Sequence, residues 1–490
     1  MKLYAMAFRT AAAIALPVLC CAASVYAVHP LSVAAFAAFF AFIFAVRRYR
    51  IEKRVFLVAF PAMVALQCVA GWSLAVDGAV WDMKDVVDGA RALASGGPVS
   101  GYFYRYPNNL PVLFLFAGVF WLSDLLFGST SPFFLTGLNM LLVDASVVFV
   151  MLLVGRLKSE RAGWLAGAVM LFFAPFYLFI PLLYTDALAL FFVALGLYFA
   201  VRLEDLWRDP ESHPARRCAA SLFEGLVCAC GFLAKGVPAV VMVGVCVQMS
   251  CRLPLRKCAA AALLVLAGFL AGVGGWKAAV ASSGLVSRER LEAESFPLAH
   301  WVMIGLSERG SFNHEDVRYT DSFPSYAEKK AAAGKEIVRR LRGMGLPGLV
   351  RHISAKVHDT WTSPTCSAEV YLQHDGKMEV ERKGVRSLLF DDADGRAPGP
   401  WRRRVFRACC NGVFLFLVLF SALHYLIAAR DPEACAGTLS VALAFVGEVL
   451  FFAVWECHPR YTFHIMPVFV AMATLSFANV FKEPVDEKTA

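Results

Sequence analysis

Long apolar runs separated by short polar joints set the pattern of this chain. Runs long enough to cross a bilayer, or nearly so, occupy residues 11–28, 31–46, 55–76, 109–127, 132–154, 163–181, 187–201, 219–234, 237–250, 259–281, 408–429, 437–455 and 462–481. A crossing helix needs about 17–25 mostly apolar residues, so each of these predicts a transmembrane helix, with 219–234 and 237–250 on the short side. Their joint reads Lys235-Gly236-Val237-Pro238, a helix break inside an otherwise apolar stretch.

Whether 109–127 crosses decides the side of everything after it. If it lies along the interface, there are 12 spans, both termini are cytoplasmic, and the basic loops at 47–54, 156–161, 202–217 and 252–257 all face the cytoplasm. If it crosses, the count is 13 and the last three loops move outside. Positive charge concentrates on the cytoplasmic side, which favours the lower count. Pro107, Pro111 and Asp124 also suit a juxtamembrane helix. The chain thus reads as an all-α polytopic membrane protein. Lys2 and Arg9 before the first run suggest a secretion signal, but the next run begins at Leu31, so the first span is expected to be uncleaved. In the 12-span arrangement the loop 77–108, the turn Tyr184-Thr185-Asp186, the Lys235 break and the stretch 456–461 all fall on the extracytoplasmic side.

Composition agrees. The 490 residues are 59% hydrophobic and 17% charged, with a mean hydropathy of +0.60, against about 25% charged in soluble domains; a soluble globular protein is excluded. Of the 47 basic and 38 acidic residues, 17 of each sign fall in 282–401, a neutral insert too long for a plain loop. This divides the chain into an N-terminal membrane region, 1–281, an extracytoplasmic insert, 282–401, and a C-terminal membrane region, 402–490, with a short cytoplasmic tail. Within the insert, 325–342 has helix-forming composition and 395–400 (GRAPGP) reads as an exit linker. The net charge of +9 is an orientation signal; with no basic face on the insert, nucleic acid is excluded as a partner. The fourteen cysteines lie mostly in apolar runs and imply no disulfide framework. Arg402, Arg403, Arg404 and Arg407 sit at the outer edge, where they either snorkel or meet anionic lipid phosphates.

Several polar residues at these membrane edges could carry chemistry. In the first outer loop, Asp77, Asp82, Asp85 and Asp88 form either a solvated helix face or a source of a general base. Asp186, between two apolar runs, either caps a helix or works as an active-site carboxylate. Lys235, between two half-length helices, needs water or an anion, and broken membrane helices mark binding sites. Glu456 and Arg460, in WECHPRYTFHIMP, are either a structural ion pair or a phosphate-binding arginine beside an acid. His458 and His464 have Pro459 between them and no local third ligand, so no metal site is assigned; a divalent cation is left open.

The segments WDMKDVVDGARAL with YFYRYPNN, LLYTDALAL, AKGVP, HWVMIGLSERGSFNHEDV, KVHDTW and VWECHPRYTFHIMP, in that order from Trp81 to Pro467, resemble the GT-C superfamily of polytopic glycosyltransferases. The resemblance is to the protein O-mannosyltransferase-like family 39, and more closely to a Gram-positive branch of membrane glycosyltransferases. It implies a GT-C-like helix bundle with juxtamembrane helices in the first outer loop. It also implies transfer of a sugar, usually with inversion, from a polyprenyl-phosphate donor to an acceptor at the outer face of a bacterial plasma membrane. The acceptor class is an envelope glycan, lipid or protein. By this resemblance Asp82 is the base, with Asp85 and Asp77 as alternatives, and Asp186 is the second acid. Lys235 and Arg460 bind the lipid phosphate, and Arg105, Tyr106, Asn108, Glu456 and Tyr461 line the substrate. The competing class is a polytopic transporter or lipid flippase, which would normally show repeated halves and short loops; neither is found here.

Overall fold

The computed structural model describes residues 3–75, 81–236, 239–373, 385–389 and 400–481, among which there is no strand. Asp77, Val237 and Pro238 lie outside the described residues. The chain forms α1 (Leu3–Ala27), α2 (Pro30–Arg48) and α3 (Glu52–Ser73), then the first-loop helices α4 (Asp82–Ala94), α5 (Gly101–Arg105) and α6 (Leu110–Phe127). Next come α7 (Phe133–Leu157), α8 (Glu160–Met170), α9 (Pro175–Leu178), α10 (Asp186–Arg208), α11 (Pro214–Ala234), α12 (Ala239–Arg252) and α13 (Leu255–Ser282). The insert contributes α14 (Arg288–Glu294), α15 (Leu298–Gly305), α16 (His314–Asp321), α17 (Tyr326–Trp361), α18 (Ala368–Gln373) and α19 (Arg386–Leu389). The chain closes with α20 (Pro400–Arg430), α21 (Leu439–Val454) and α22 (Met466–Val480). It is an all-α polytopic membrane protein, and eleven of its described helices are long and apolar enough to cross a bilayer.

Contacts at the two ends of the bundle sort the helices by side. At one end the basic loops are tied together: Arg161 on Glu52 at 2.9 Å, Arg156 on Asp205 at 2.8 Å, Arg252 on Glu204 at 2.9 Å, and the Tyr4 hydroxyl on Glu433 at 3.1 Å. At the other, the Tyr26 hydroxyl donates to the Thr362 carbonyl, Arg386 donates to the carbonyls of Ser73 and Ala75, and Thr136 of α7 lies against Gly71 of α3. Helix α6 begins beside Asn109, which is bonded to Tyr184 just ahead of α10, and its last turn leads directly into the start of α7. Both ends of α6 are therefore on the face opposite the basic loops. It lies along that face with α4, whose Arg91 donates to the Thr130 carbonyl and sits over the Phe120 ring. Among the described residues this leaves about twelve candidate crossings: ten of the eleven long helices, the shorter α12, and α8 with α9 as one broken span.

That broken span is shaped by proline. Pro175 and Pro181 remove backbone donors, so α8 stops at Met170, α9 lasts four residues, and 180–185 keeps only isolated short-range bonds, from Ile180 N to the Tyr177 carbonyl, Leu182 N to that of Phe179 and Tyr184 N to that of Leu182. Within a bilayer the freed carbonyls need partners. Asn139 of α7 donates to the carbonyls of Ile180 and Leu182 at 3.2 and 2.8 Å, and Gln67 of α3 to that of Phe176 at 3.2 Å. The turn carrying Tyr184 and Asp186 is thereby held at one level of the bundle.

This arrangement predicts a labelling pattern. In a chain depleted of its own cysteines, new cysteines at Lys84 and Ser129 should react with a membrane-impermeant maleimide from the same side, and one at Lys158 should not. Labelling of Lys158 together with Lys84, with Ser129 unreactive, would mean that α6 crosses.

Candidate functional site

Four separate stretches meet at the face opposite the basic loops: the start of α4, the turn before α10, the end of α11, and the turn between α21 and α22. Asp186 opens α10 and is buried. Its Oδ1 accepts from Lys235 Nζ at 2.8 Å, and its Oδ2 lies 3.6 Å from Arg460 Nε. Lys235 is delivered by the end of α11, where the backbone turns extended. Arg460 is delivered by the 3-10 helix Pro459–Ile465. That short helix is fixed three ways: the His458 ring Nδ1 caps it by accepting from Arg460 N at 3.2 Å, His464 meets Glu448 of α21 at 2.9 Å, and Phe463 stacks on Phe179 with centroids 3.8 Å apart.

Aromatic rings enclose the two cations. The Arg460 guanidinium is 4.3, 5.0 and 5.6 Å from the ring centroids of Tyr371, Tyr184 and Tyr461, and Lys235 Nζ is 4.7 Å from that of Tyr461. Such faces attract cations without neutralising them. Arg460 is 4% exposed, and its Nε makes no hydrogen bond among the described residues.

The acidic side of the site is reached through a relay of polar groups. The Tyr184 hydroxyl donates to Asn109 Oδ1 at 3.0 Å and Asn109 Nδ2 donates to the Tyr102 hydroxyl at 2.7 Å, with Asp82 on the far side of Tyr102. Burial raises the Asp82 carboxyl above its ordinary range, opposed by the charge of Arg460 and the polar hydroxyl of Tyr102. Glu456, buried, accepts from the Tyr461 hydroxyl at 2.9 Å. Burial, with the nearby Asp82 adding to it, pushes the Glu456 carboxyl up to about 7 against the pull of Tyr461 and Arg460. Immediately before Asp82, Trp81 holds φ 50° and ψ −133°, a left-handed conformation costly for a residue with a Cβ, and its ring meets Tyr371 edge-on at 5.4 Å.

Of the residues singled out from sequence, Asp82, Asp186, Lys235, Glu456, Arg460 and Tyr461 share this cluster, and Tyr106 packs beside it against Tyr102 and Trp301. Arg105 turns to the insert and pairs with Asp321 at 2.8 Å. Asn108 is exposed and its neighbour Asn109 occupies the interior position. Asp85 is exposed beside Asp82, and Asp77 lies outside the described residues. Sequence reasoning missed Tyr102, Asn109, Tyr184 and Tyr371 as members of the cluster. The first three stand inside quoted segments, whereas nothing local to Tyr371 places it at the other end of a long insert from Arg460. Among the described residues no three His, Cys, Asp or Glu side chains form a group able to hold a metal ion.

Asp186 is the common counter-ion of the buried Arg460 and the partly buried Lys235. Asp186→Ala should cost about 3–5 kcal/mol, the usual result of stranding a buried charge, read as a lowered unfolding midpoint in detergent. Adding Lys235→Met should recover part of the loss. An unchanged midpoint in the single variant would contradict this dependence.

Solved structures similar to this chain include three of an oligosaccharyltransferase from Archaeoglobus fulgidus. They are AglB in complex with an inhibitory peptide and a dolichol-phosphate (14% identity, TM-score 0.47, 88% of this chain and 50% of that one), a form tethered by a disulfide to an acceptor peptide containing the NVT sequon (13%, 0.48, 89% and 50%), and an apo form (13%, 0.48, 88% and 50%). The chain spans about half the length of each. No curated protein matches it. A family model described as conserved hypothetical integral membrane protein matches residues 6–481, nearly the whole chain, and the protein belongs to that family.

Proposed function

We propose that this protein is a membrane glycosyltransferase of GT-C type that moves a sugar from a polyprenyl-phosphate donor to an acceptor hydroxyl at the outer face of a bacterial plasma membrane. The observation that carries the reading is the buried Arg460, caged by three tyrosine rings, with an Nε that makes no hydrogen bond among the described residues and with Lys235 beside it on the same carboxylate. A guanidinium fork and an ammonium at a membrane edge suit a lipid phosphate. The ordered resemblance from Trp81 to Pro467 supports the same class, and the basic loops at the far end of the bundle support an extracytoplasmic site.

In this reading Asp82 takes the proton of the acceptor hydroxyl as its oxygen attacks the anomeric carbon. The bond from that carbon to the phosphate oxygen breaks on the opposite face, which gives inversion. The leaving phosphate gains a negative charge, and Lys235 and Arg460 stabilise it as it develops. Asp186 keeps both cations in place. Glu456 holds Tyr461, whose ring flanks Lys235 and Arg460. A base works best with a pKa near the operating pH, and burial of Asp82 moves it in that direction. Cell-envelope glycan synthesis is the process this chemistry serves, with an envelope glycan, lipid or protein as acceptor.

Asp82→Asn should abolish sugar transfer by the full chain in nanodiscs while binding of polyprenyl phosphate stays within about twofold, because the phosphate contacts are untouched. Wild-type turnover in that variant would overturn the assignment of the base. In the wild type, kcat/KM should fall as pH drops through the raised pKa of Asp82, which must be ionised to act. The acid limb should therefore lie above the ordinary aspartate value of about 3.9; a limb at or below that value would contradict a buried base.

A further inference from the structure

Outside the cluster, the most unusual charged group is Lys356 of α17. It is 1% exposed, and its ammonium donates to the carbonyls of Gly305 at 2.8 Å, Trp455 at 2.7 Å and Ala453 at 3.3 Å. No carboxylate lies within hydrogen-bond distance of it among the described residues. A buried ammonium with neutral partners is expensive to keep, and an apolar side chain would fill the same space. What the ammonium supplies is a three-way tie between the insert helix, the end of α15 and the end of α21. The α21 carbonyls belong to a helix C-terminus, where a cation is favoured.

The tied strap is the one that carries Glu456. Glu456 N donates to the Trp301 carbonyl at 3.1 Å and Cys457 N to that of Gly310 at 2.8 Å, so the strap runs along insert residues 301–310. The approach is close enough that a Cβ on Gly305 would meet the Val454 carbonyl oxygen at 2.3 Å. His352, one turn before Lys356, shares the Gly305 carbonyl at 2.9 Å. Burial pulls the Lys356 ammonium down to about 8, with Cys457 and Glu456 as the opposing charges, as befits an ammonium shielded from water.

We infer that Lys356 is a positioning residue through which the insert sets the aim of Glu456 at Tyr461 and Asp82. It touches no reacting atom; it acts by fixing the strap. The activity arm of its test rests on the transferase reading above, whereas the accessibility arm does not.

The test uses the full chain in nanodiscs. Lys356→Met should raise the rate at which N-ethylmaleimide modifies Cys457, followed by peptide mass spectrometry, by about tenfold or more, since this thiol is protected only while the strap is closed. With a polyprenyl-phosphate hexose that the wild type turns over, Lys356→Met should lower kcat about 10- to 100-fold, the scale of a misplaced active-site group, with polyprenyl-phosphate affinity within twofold. Combined with Glu456→Gln it should add less than about twofold to the loss in Glu456→Gln alone, because the two act as one unit. Gly305→Ala, which pushes the strap away while keeping the Lys356 ammonium, should give the same pattern and serves if Lys356→Met does not fold. Full additivity in the double variant, or an unchanged Cys457 rate, would overturn the inference. Absence of wild-type turnover with every polyprenyl-phosphate hexose would refute the transferase reading instead, and the Cys457 rate would still decide the clamp.

Discussion

The structure depends on one buried carboxylate shared by two cations. Asp186, Lys235 and Arg460 come from three stretches far apart in the chain, and each would be costly to bury alone. Together they partly offset one another, but the compensation is incomplete, because Arg460 faces Asp186 through a 3.6 Å contact and otherwise sees aromatic faces.

The rest of the fold can be understood as what it takes to hold that cluster at a membrane edge. The prolines around α9 stop a span short so that Tyr184 and Asp186 can stand at its mouth, and Asn139 and Gln67 satisfy the backbone that the break frees. The Lys235 break ends α11 at the same level. The first loop folds back as α4 and α6 along the face, and the hydrogen bonds from Tyr184 through Asn109 to Tyr102 tie it to the turn. From the other direction the insert reaches in with Tyr371 over Arg460 and Lys356 under the Glu456 strap. The insert is thus part of the site as well as a cover for it.

Much of this was legible in the sequence because membranes make violations of hydrophobicity expensive. A lysine between two half-length helices and an aspartate at the mouth of a span are readable as single residues, and the basic loops carry the orientation. Helix ends were less legible: the run at 187–201 extends as α10 to Arg208, since charged residues at its far end snorkel out of the bilayer without breaking the helix. The run at 163–181 is apolar throughout, so composition hides that Pro175 and Pro181 split it. Asn108 and Asn109 differ by one position, and which of them turns inward is set by the 3-10 helix Pro107–Asn109, not by residue type. Tyr371 and Lys356 were illegible because their partners are distant in sequence and their meaning arises only where the insert folds back.

The central claim is that Lys235 and Arg460 form the seat of a lipid phosphate. A cryo-EM structure of the full chain in nanodiscs with added polyprenyl phosphate tests it most directly. The account predicts phosphate density between the Lys235 ammonium and the Arg460 guanidinium, within the ring of Tyr184, Tyr371 and Tyr461. Phosphate density at the arginines of residues 402–407 with the Arg460 cage unchanged would contradict it.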